Sequence, residues 1–213
     1  MSQINYSLVP REDILKRLPK TNFEIVLDVG CANGVFGKAL KDLGAKKVIG
    51  IEKDAKLAKD ARNNIDVVYL GDVESNDFHF NNSYFDLIVL ADVLEHLKDP
   101  EKFLRGYKRY LKKDGKFIIS IPNVQYYFVL WSLIKGEWKY VDRGIFDKTH
   151  LRFFTLKSIK RLLQSCGLEI VQINRNYRLR EKYCSHQRLA KYVSLFFFRN
   201  FLTFQYVIIA RKK

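Results

Sequence analysis

A chain of 213 residues with 47% hydrophobic and 29% charged side chains, 4 Pro and 11 Gly has enough apolar material for one substantial core, and its composition excludes collagen-like, low-complexity and wholly disordered chains. Lys and Arg number 38 against 23 Asp and Glu, a net charge of +15. The excess lies at one end: residues 1–134 hold 20 basic and 18 acidic side chains, whereas residues 135–213 hold 18 basic and only 5 acidic. Such a field suits an anionic small molecule, an anionic membrane surface or nucleic acid. Cys31, Cys166 and Cys184 are odd in number and lack CxxC spacing, which points away from a disulfide framework or zinc cluster and toward a reducing cytoplasm. The opening MSQINYSLVPREDILKRLPK has no signal-peptide stretch.

From Phe23 to Leu90, short β-branched runs alternate with charged, helix-period segments. Strands are predicted at Glu24 to Val29, Lys47 to Ile51, Val67 to Leu70 and Phe85 to Leu90, with helices between the first three. Runs such as IVLDV and DLIVL are apolar throughout, as parallel strands covered on both faces must be. The expected fold is therefore doubly wound α/β. A helix from Pro100 to Tyr110 and a strand from Lys116 to Ile121 follow. Asn123 to Ile134 is apolar but only 12 residues long, too short to cross a bilayer, and reads as a lid helix within an insertion of about 123–150. Thr155 is the expected N-cap of a helix ending at Cys166 before Gly167, with a strand at Glu169 to Asn174. The last strand is FQYVIIA, Phe204 to Ala210. The whole chain, 1–213, reads as one domain, in which a basic, aromatic insertion of about 175–203 joins the last two strands.

The chemistry concentrates at strand ends. Asp28-Val29-Gly30-Cys31-Ala32-Asn33-Gly34 occupies the first strand-to-helix turn, where a doubly wound sheet has its ligand crevice and glycine lets backbone approach a ligand. Glu52, 22 residues beyond Gly30, ends the second strand, where a carboxylate accepts the hydroxyl hydrogens of a ribose. Asp72, in Gly71-Asp72-Val73, lies just past the third, where it can accept from an adenine amine. Together they indicate an adenosine-containing ligand. A dinucleotide needs GxGxxG for its pyrophosphate, and here Ala32 replaces the middle glycine; the Asp28 carboxylate also repels a pyrophosphate but suits a cationic end such as the amine of S-adenosylmethionine. Asp28 as a simple cap of the following helix is the plainer reading.

With these residues in place, the sequence resembles the class I S-adenosylmethionine-dependent methyltransferases over about Ile14 to Asn174. LDVGCANGVFG corresponds to their first motif, Glu52 to the ribose-binding acid, Gly71-Asp72-Val73 to the adenine-binding turn, and FDLIVLADVLEHLKDPEKFLRGYKRYLKKDGKFIISIPN to the fourth and fifth strands with the intervening helix. The resemblance implies a Rossmann-like, seven-stranded sheet whose last strand inserts antiparallel beside the fifth. It further implies S-adenosyl-L-methionine as cofactor, contacts from Asp28, Gly30, Cys31, Gly34, Glu52, Gly71, Asp72, Val73, Ala91 and His96, and a methyl-transfer site faced by Ala91 and Asp92. A second segment, GIFDKTHLRFFTLKSIKRLLQSCGLEIV, resembles a small-molecule branch associated with polysaccharide or glycolipid synthesis.

For His150 two roles compete, that of general base for an acceptor hydroxyl and that of backbone-bonded anchor of the lid. His96 either contacts the cofactor or caps a helix, and His79 and His186 read as surface residues. Arg143 and Arg152 either grip a phosphate or carboxylate of the acceptor, or pair with Asp142 or Asp147. Tyr126, Tyr127, Trp131 and Trp138 form either a stacking wall for the substrate or ordinary packing. KYVSLFFFRNFLTF, with five Phe among basic residues, suits peripheral contact with an anionic membrane, or else closes the core or a dimer interface. No HxxxH or tight carboxylate motif calls for a metal. The expected activity is O-methylation of an anionic, small-molecule or lipid-linked glycan acceptor, in the cytoplasm or at the inner membrane surface. The alternatives are an RNA-binding protein or RNA methyltransferase, disfavoured because no RNA module is present, and a nucleotide-dependent oxidoreductase, disfavoured by Asp28 and Ala32. The sequence names no oligomeric state.

Overall fold

The computed structural model describes residues 10–19, 23–75, 78–178 and 198–213. A one-turn helix α1 (Glu12–Leu15) precedes β1 (Ile25–Val29), α2 (Val35–Asp42), β2 (Lys47–Glu52), α3 (Ala55–Ala61), β3 (Val67–Leu70) and β4 (Phe85–Ala91). A 3-10 turn (Leu94–His96) leads to α4 (Pro100–Lys108), β5 (Leu111–Pro122), α5 (Tyr127–Ile134), α6 (Leu156–Ser165), β6 (Leu168–Tyr177), a one-turn helix α7 (Arg199–Leu202) and β7 (Thr203–Lys212).

The strands form one seven-stranded sheet in the order β3-β2-β1-β4-β5-β7-β6. The first five are parallel, and β7 runs antiparallel to both β5 and β6. Alternation along the central strands explains why they are apolar throughout. Leu27, Val29, Ile49, Ile51, Ile88 and Leu90 enter the core on one face, and Val26, Val48, Leu87 and Val89 enter the core on the other. Successive side chains of a strand point to opposite faces, so a sheet covered by helices on both sides tolerates no polar alternation.

Helix ends are fixed by local chemistry. Asp54 accepts from the amides of Lys56 and Leu57 at 2.9 Å, Asp99 accepts from Lys102 N ahead of Pro100, and Thr155 forms a reciprocal capping box with Ser158, each satisfying amides that a helix start leaves without partners. Gly167, at φ +69°, takes the left-handed position that ends α6. The strand before the lid, β5, begins earlier than its pattern predicts: Leu111 already pairs with Phe85, and the register then shifts before Leu87 meets Lys116. The LKKDGK stretch, Leu111 to Lys116, is thus an irregularity inside β5.

The segment predicted as a lid contains α5, whose Val129, with Tyr126 and Ile145, builds a small separate core against Trp138, Phe146 and Phe204. Its other face is open, with Trp131 55% and Ile134 76% exposed. Of the predicted insertion at 175–203, Arg175 to Tyr177 continue β6 and Phe198 onward lead into β7; residues 179–197, with His186 and with Phe196 and Phe197 of the phenylalanine cluster, lie outside the described residues. Among the described residues no helix is long and apolar enough to cross a membrane.

Candidate active site

The carboxyl ends of β1, β2 and β4 converge on one crevice. Gly30 N and Cys31 N both donate to Ile51 O, at 2.8 and 3.1 Å, so the turn after β1 is stitched to the end of β2. Gly30 holds φ +70°. Ala32 holds φ +48°, a left-handed conformation that costs a non-glycine residue about 1–2 kcal/mol. Gly34 is needed for another reason: a Cβ there meets the backbone of Ala61 in α3 at 3.1 Å. The Cys31 side chain is likewise turned inward, its Sγ occupying the space a Cβ on Gly50 would need, so it is the backbone of Cys31 that faces the turn's interior bonding.

Glu52 is the hinge of this pocket. One carboxylate oxygen accepts from Ala32 N and the other from Asp54 N, both at 2.9 Å, which fixes its orientation while leaving lone pairs for a ligand. Asp28 is buried, and its Oδ2 has no hydrogen-bond partner among the described residues. Burial first, and the charge of Glu52 second, push its carboxyl up to about 7. A buried acceptor without a donor is costly, and a cationic amine beside the turn is what would complete it. Gly71 N donates to Glu52 O at 2.9 Å, bringing Asp72 to the same edge; Asp72 is exposed and its Oδ1 accepts from Glu74 N, while Val73 packs partly into the core.

Beyond β4 stand Ala91 and Asp92, the latter at φ +56°. Asp92 is bonded on both oxygens: Oδ2 lies 2.5 Å from Arg11 Nη1, and Oδ1 accepts from Ser120 Oγ at 2.8 Å and Gln205 Nε2 at 2.6 Å. Arg11 also pairs with Asp13 and donates to Ser120 Oγ and Gln205 Oε1. Burial alone would lower the Arg11 guanidinium, but Asp92 and Asp13 outweigh it and hold the group above its ordinary value. This network has no local signature in the sequence: Asp92, Ser120 and Gln205 lie 81 to 194 residues from Arg11.

The segment after the lid reaches the same strand end. Leu151 N and Arg152 N donate to Glu95 O at 2.8 and 2.9 Å. The rings of His96 and His150 meet edge to face, with centroids 4.8 Å apart. Thr149 Oγ1 gives its hydrogen to Asp147 Oδ1 at 2.6 Å, so toward His96 Nδ1, 3.0 Å away, it can only accept, as can Thr149 O at 3.2 Å. The Nδ1 of His150 faces Ile145 O at 3.2 Å, again an acceptor. Both imidazoles therefore carry a proton on Nδ1, and Nε2 is the nitrogen of each ring not used in these bonds. Burial, then His96, lowers the His150 pKa, so the ring is neutral near pH 7. Glu95 is buried with both oxygens unpartnered among the described residues; burial, then Asp92, pushes its carboxyl well above the usual range.

Other predicted residues lie apart or turn inward. Arg152 donates to Lys98 O rather than to Asp142, which pairs with Lys148, or to Asp147, which binds Thr149. Arg143 is exposed. Tyr126 is buried and its hydroxyl donates to Arg178 O at 2.7 Å, with its ring 4.7 Å from that of Tyr127. Trp138 packs between Phe146 and Phe153, and Lys135 lies over the exposed Trp131. His79 is exposed.

This geometry has known counterparts. The family model described as a methyltransferase domain matches residues 5–173. A ubiquinone biosynthesis O-methyltransferase of Coxiella burnetii (strain RSA 331 / Henzerling II) is 26% identical over 154 residues, covering 70% of this chain and 64% of that protein. One of Neisseria meningitidis serogroup A is 25% identical, covering 68% and 63%; the chain thus spans under two thirds of these relatives. Among solved structures, a SAM-dependent methyltransferase from Archaeoglobus fulgidus superimposes with TM-score 0.69 at 20% identity, covering 98% of this chain and 97% of that one. A structure from Thermotoga maritima titled a possible histamine N-methyltransferase gives TM-score 0.66 at 21% identity, covering 98% and 89%. The orphaned oxygen of Asp28 and the oriented carboxylate of Glu52 fit S-adenosyl-L-methionine, which supplies a methyl group on a positively charged sulfur. The chain belongs to the S-adenosylmethionine-dependent methyltransferases.

Proposed function

We propose that this methyltransferase methylates a hydroxyl oxygen of an anionic, small-molecule or lipid-linked acceptor, with a glycan as the first candidate. The observation that carries the proposal is His150: a neutral imidazole whose Nδ1 is tied to Ile145 O, beside the end of β4, with its Nε2 lone pair left to take a proton. An acceptor hydroxyl must lose its proton as the oxygen attacks the methyl carbon, and a positioned neutral imidazole can take that proton. Asp28 and Glu52 bind the amine and ribose of the cofactor, Asp72 its adenine, and His96 orients His150 through their edge contact. Arg143 and the net positive charge of residues 135–213 draw an anionic acceptor. The exposed face of α5, with Trp131 and Ile134, suits peripheral contact with an anionic membrane from the cytoplasmic side.

The names of the relatives favour a second acceptor, a hydroxyl on an intermediate of ubiquinone biosynthesis, which is also lipid-linked. Cell extract is fractionated into polysaccharide, glycolipid, quinone-lipid, small-molecule and RNA pools and incubated with the protein and methyl-labelled cofactor. Alkali-stable label in polysaccharide or glycolipid supports the first reading, and label in quinone lipids the second. Label confined to RNA overturns both.

A further inference from the structure

We propose that Glu95, His96 and His150 form a binding site for a divalent transition metal of the zinc class. One ring nitrogen of each imidazole and one oxygen of Glu95 lie within 4.8 Å of one another. Ligands at about 2.0–2.2 Å from a tetrahedral zinc are separated by roughly 3.4 Å, so modest rotation of the side chains closes the set. Two imidazoles and one carboxylate are a donor set that zinc takes at open sites, with a fourth position left free.

Three independent features argue for a ligand here rather than chance proximity. Glu95 is only 1% exposed, yet neither oxygen has a partner among the described residues; a buried carboxyl with two empty oxygens is an arrangement that a cation repairs. In each imidazole Nδ1 is engaged outward, from His96 to Thr149 and from His150 to Ile145 O, which leaves Nε2 as the nitrogen available to a metal. Such outer hydrogen bonds fix tautomer and ring direction at metal-binding histidines. Thr149 is itself held by Asp147, bonded to both its hydroxyl and its amide. The two chain segments are also already docked, since Leu151 and Arg152 bond to the carbonyl of Glu95, so binding orders little backbone. No spacing motif reveals the site, because His150 lies 54 residues beyond His96.

The site's consequence for catalysis rests on the O-methylation reading. Ligation and proton acceptance by His150 use the same lone pair, so an ion on this site excludes His150 from acting as base and pins the segment following the lid to the turn after β4.

The test uses the full chain, stripped with a chelator and titrated with Co²⁺. One equivalent should bind with visible absorption bands of a four- or five-coordinate imidazole site, and one equivalent of Zn²⁺ should bleach them, since zinc binds such sites more tightly than cobalt. Glu95→Gln and His150→Gln should each weaken binding at least tenfold. Calorimetry with S-adenosylhomocysteine runs in parallel: retained binding shows that each variant is folded, whereas failure of the wild type to bind it would sink the cofactor site and leave the metal result standing. No saturable Co²⁺ binding, a thiolate charge-transfer band, or unchanged affinity in His150→Gln overturns the proposal.

Discussion

Arg11 and Asp92, 81 residues apart in sequence, meet at 2.5 Å over the ends of β4, β5 and β7. The pair fastens the segment before β1 across these strand ends, and Asn176 extends it to β6 by donating to both Asp13 and Gln205. Arg11→Met leaves two carboxylates facing each other without their cation. Removing one partner of a buried pair costs about 3–5 kcal/mol, and the third of the Asp92 side chain that reaches solvent lowers the expectation to about 2–3 kcal/mol in urea unfolding. Breaking the exposed pair Arg105–Glu101 should cost far less on the same measurement, because water screens it. Equal losses at the two sites would deny the Arg11 network its stabilising role.

Asp28 makes stability depend on pH. Its folded pKa, about 7, lies above the ordinary value of about 3.9, so the folded state binds the extra proton. The stability this contributes is full below the ordinary value and is lost as pH rises through about 7. Without cofactor, the melting temperature of the wild type should fall between about pH 5 and pH 8 relative to Asp28→Asn. Binding of the cationic cofactor should ionise Asp28 and release a proton, read as a dependence of calorimetric enthalpy on buffer. A variant and wild type with parallel pH profiles would contradict the assignment.

Glu52→Ala should weaken S-adenosylhomocysteine binding by about 1.5–3 kcal/mol, the range for a hydrogen bond to a charged group, or about 10- to 150-fold in Kd. Glu52→Gln keeps one acceptor for Ala32 N or Asp54 N and should fall between. Wild-type affinity in Glu52→Ala would remove the residue from the ribose site.

His150→Ala, assayed in chelator-treated protein, should keep cofactor affinity within about twofold and lower turnover by about 10²- to 10⁴-fold, the contribution of a general base. A drop in melting temperature and cofactor affinity without a specific turnover defect would assign His150 to anchoring the lid.

Vesicle flotation tests the membrane proposal. Binding to anionic vesicles should weaken with salt, because exposed charges are screened over about 8 Å at physiological ionic strength, and Trp131→Ser with Ile134→Ser should reduce it. Phe198, 56% exposed, is a second point for substitution; Phe197 lies outside the described residues. Indifference to anionic vesicles at low salt would leave the charge to a soluble acceptor.

The sheet and the meeting of its strand ends were legible in the sequence because their signals are local. Continuous apolar runs specify strands buried on both faces, Asp99-Pro100 and Thr155 with Gly167 mark helix ends within a few residues, and a doubly wound sheet puts the ends of successive strands side by side, so Asp28, Glu52 and Asp72 could be grouped without coordinates. Tertiary structure alone decided what those residues meet. Gly34 proved to answer to Ala61, Cys31 to fill the space beside Gly50, and Arg152 to bond Lys98 O. Arg11 joined Asp92, and Glu95 came to face His150, because chain segments far apart in sequence cross the same strand ends. Periodicity says which face of an element is buried, but a polar side chain's partner is set by where distant segments return, and no local pattern encodes that return.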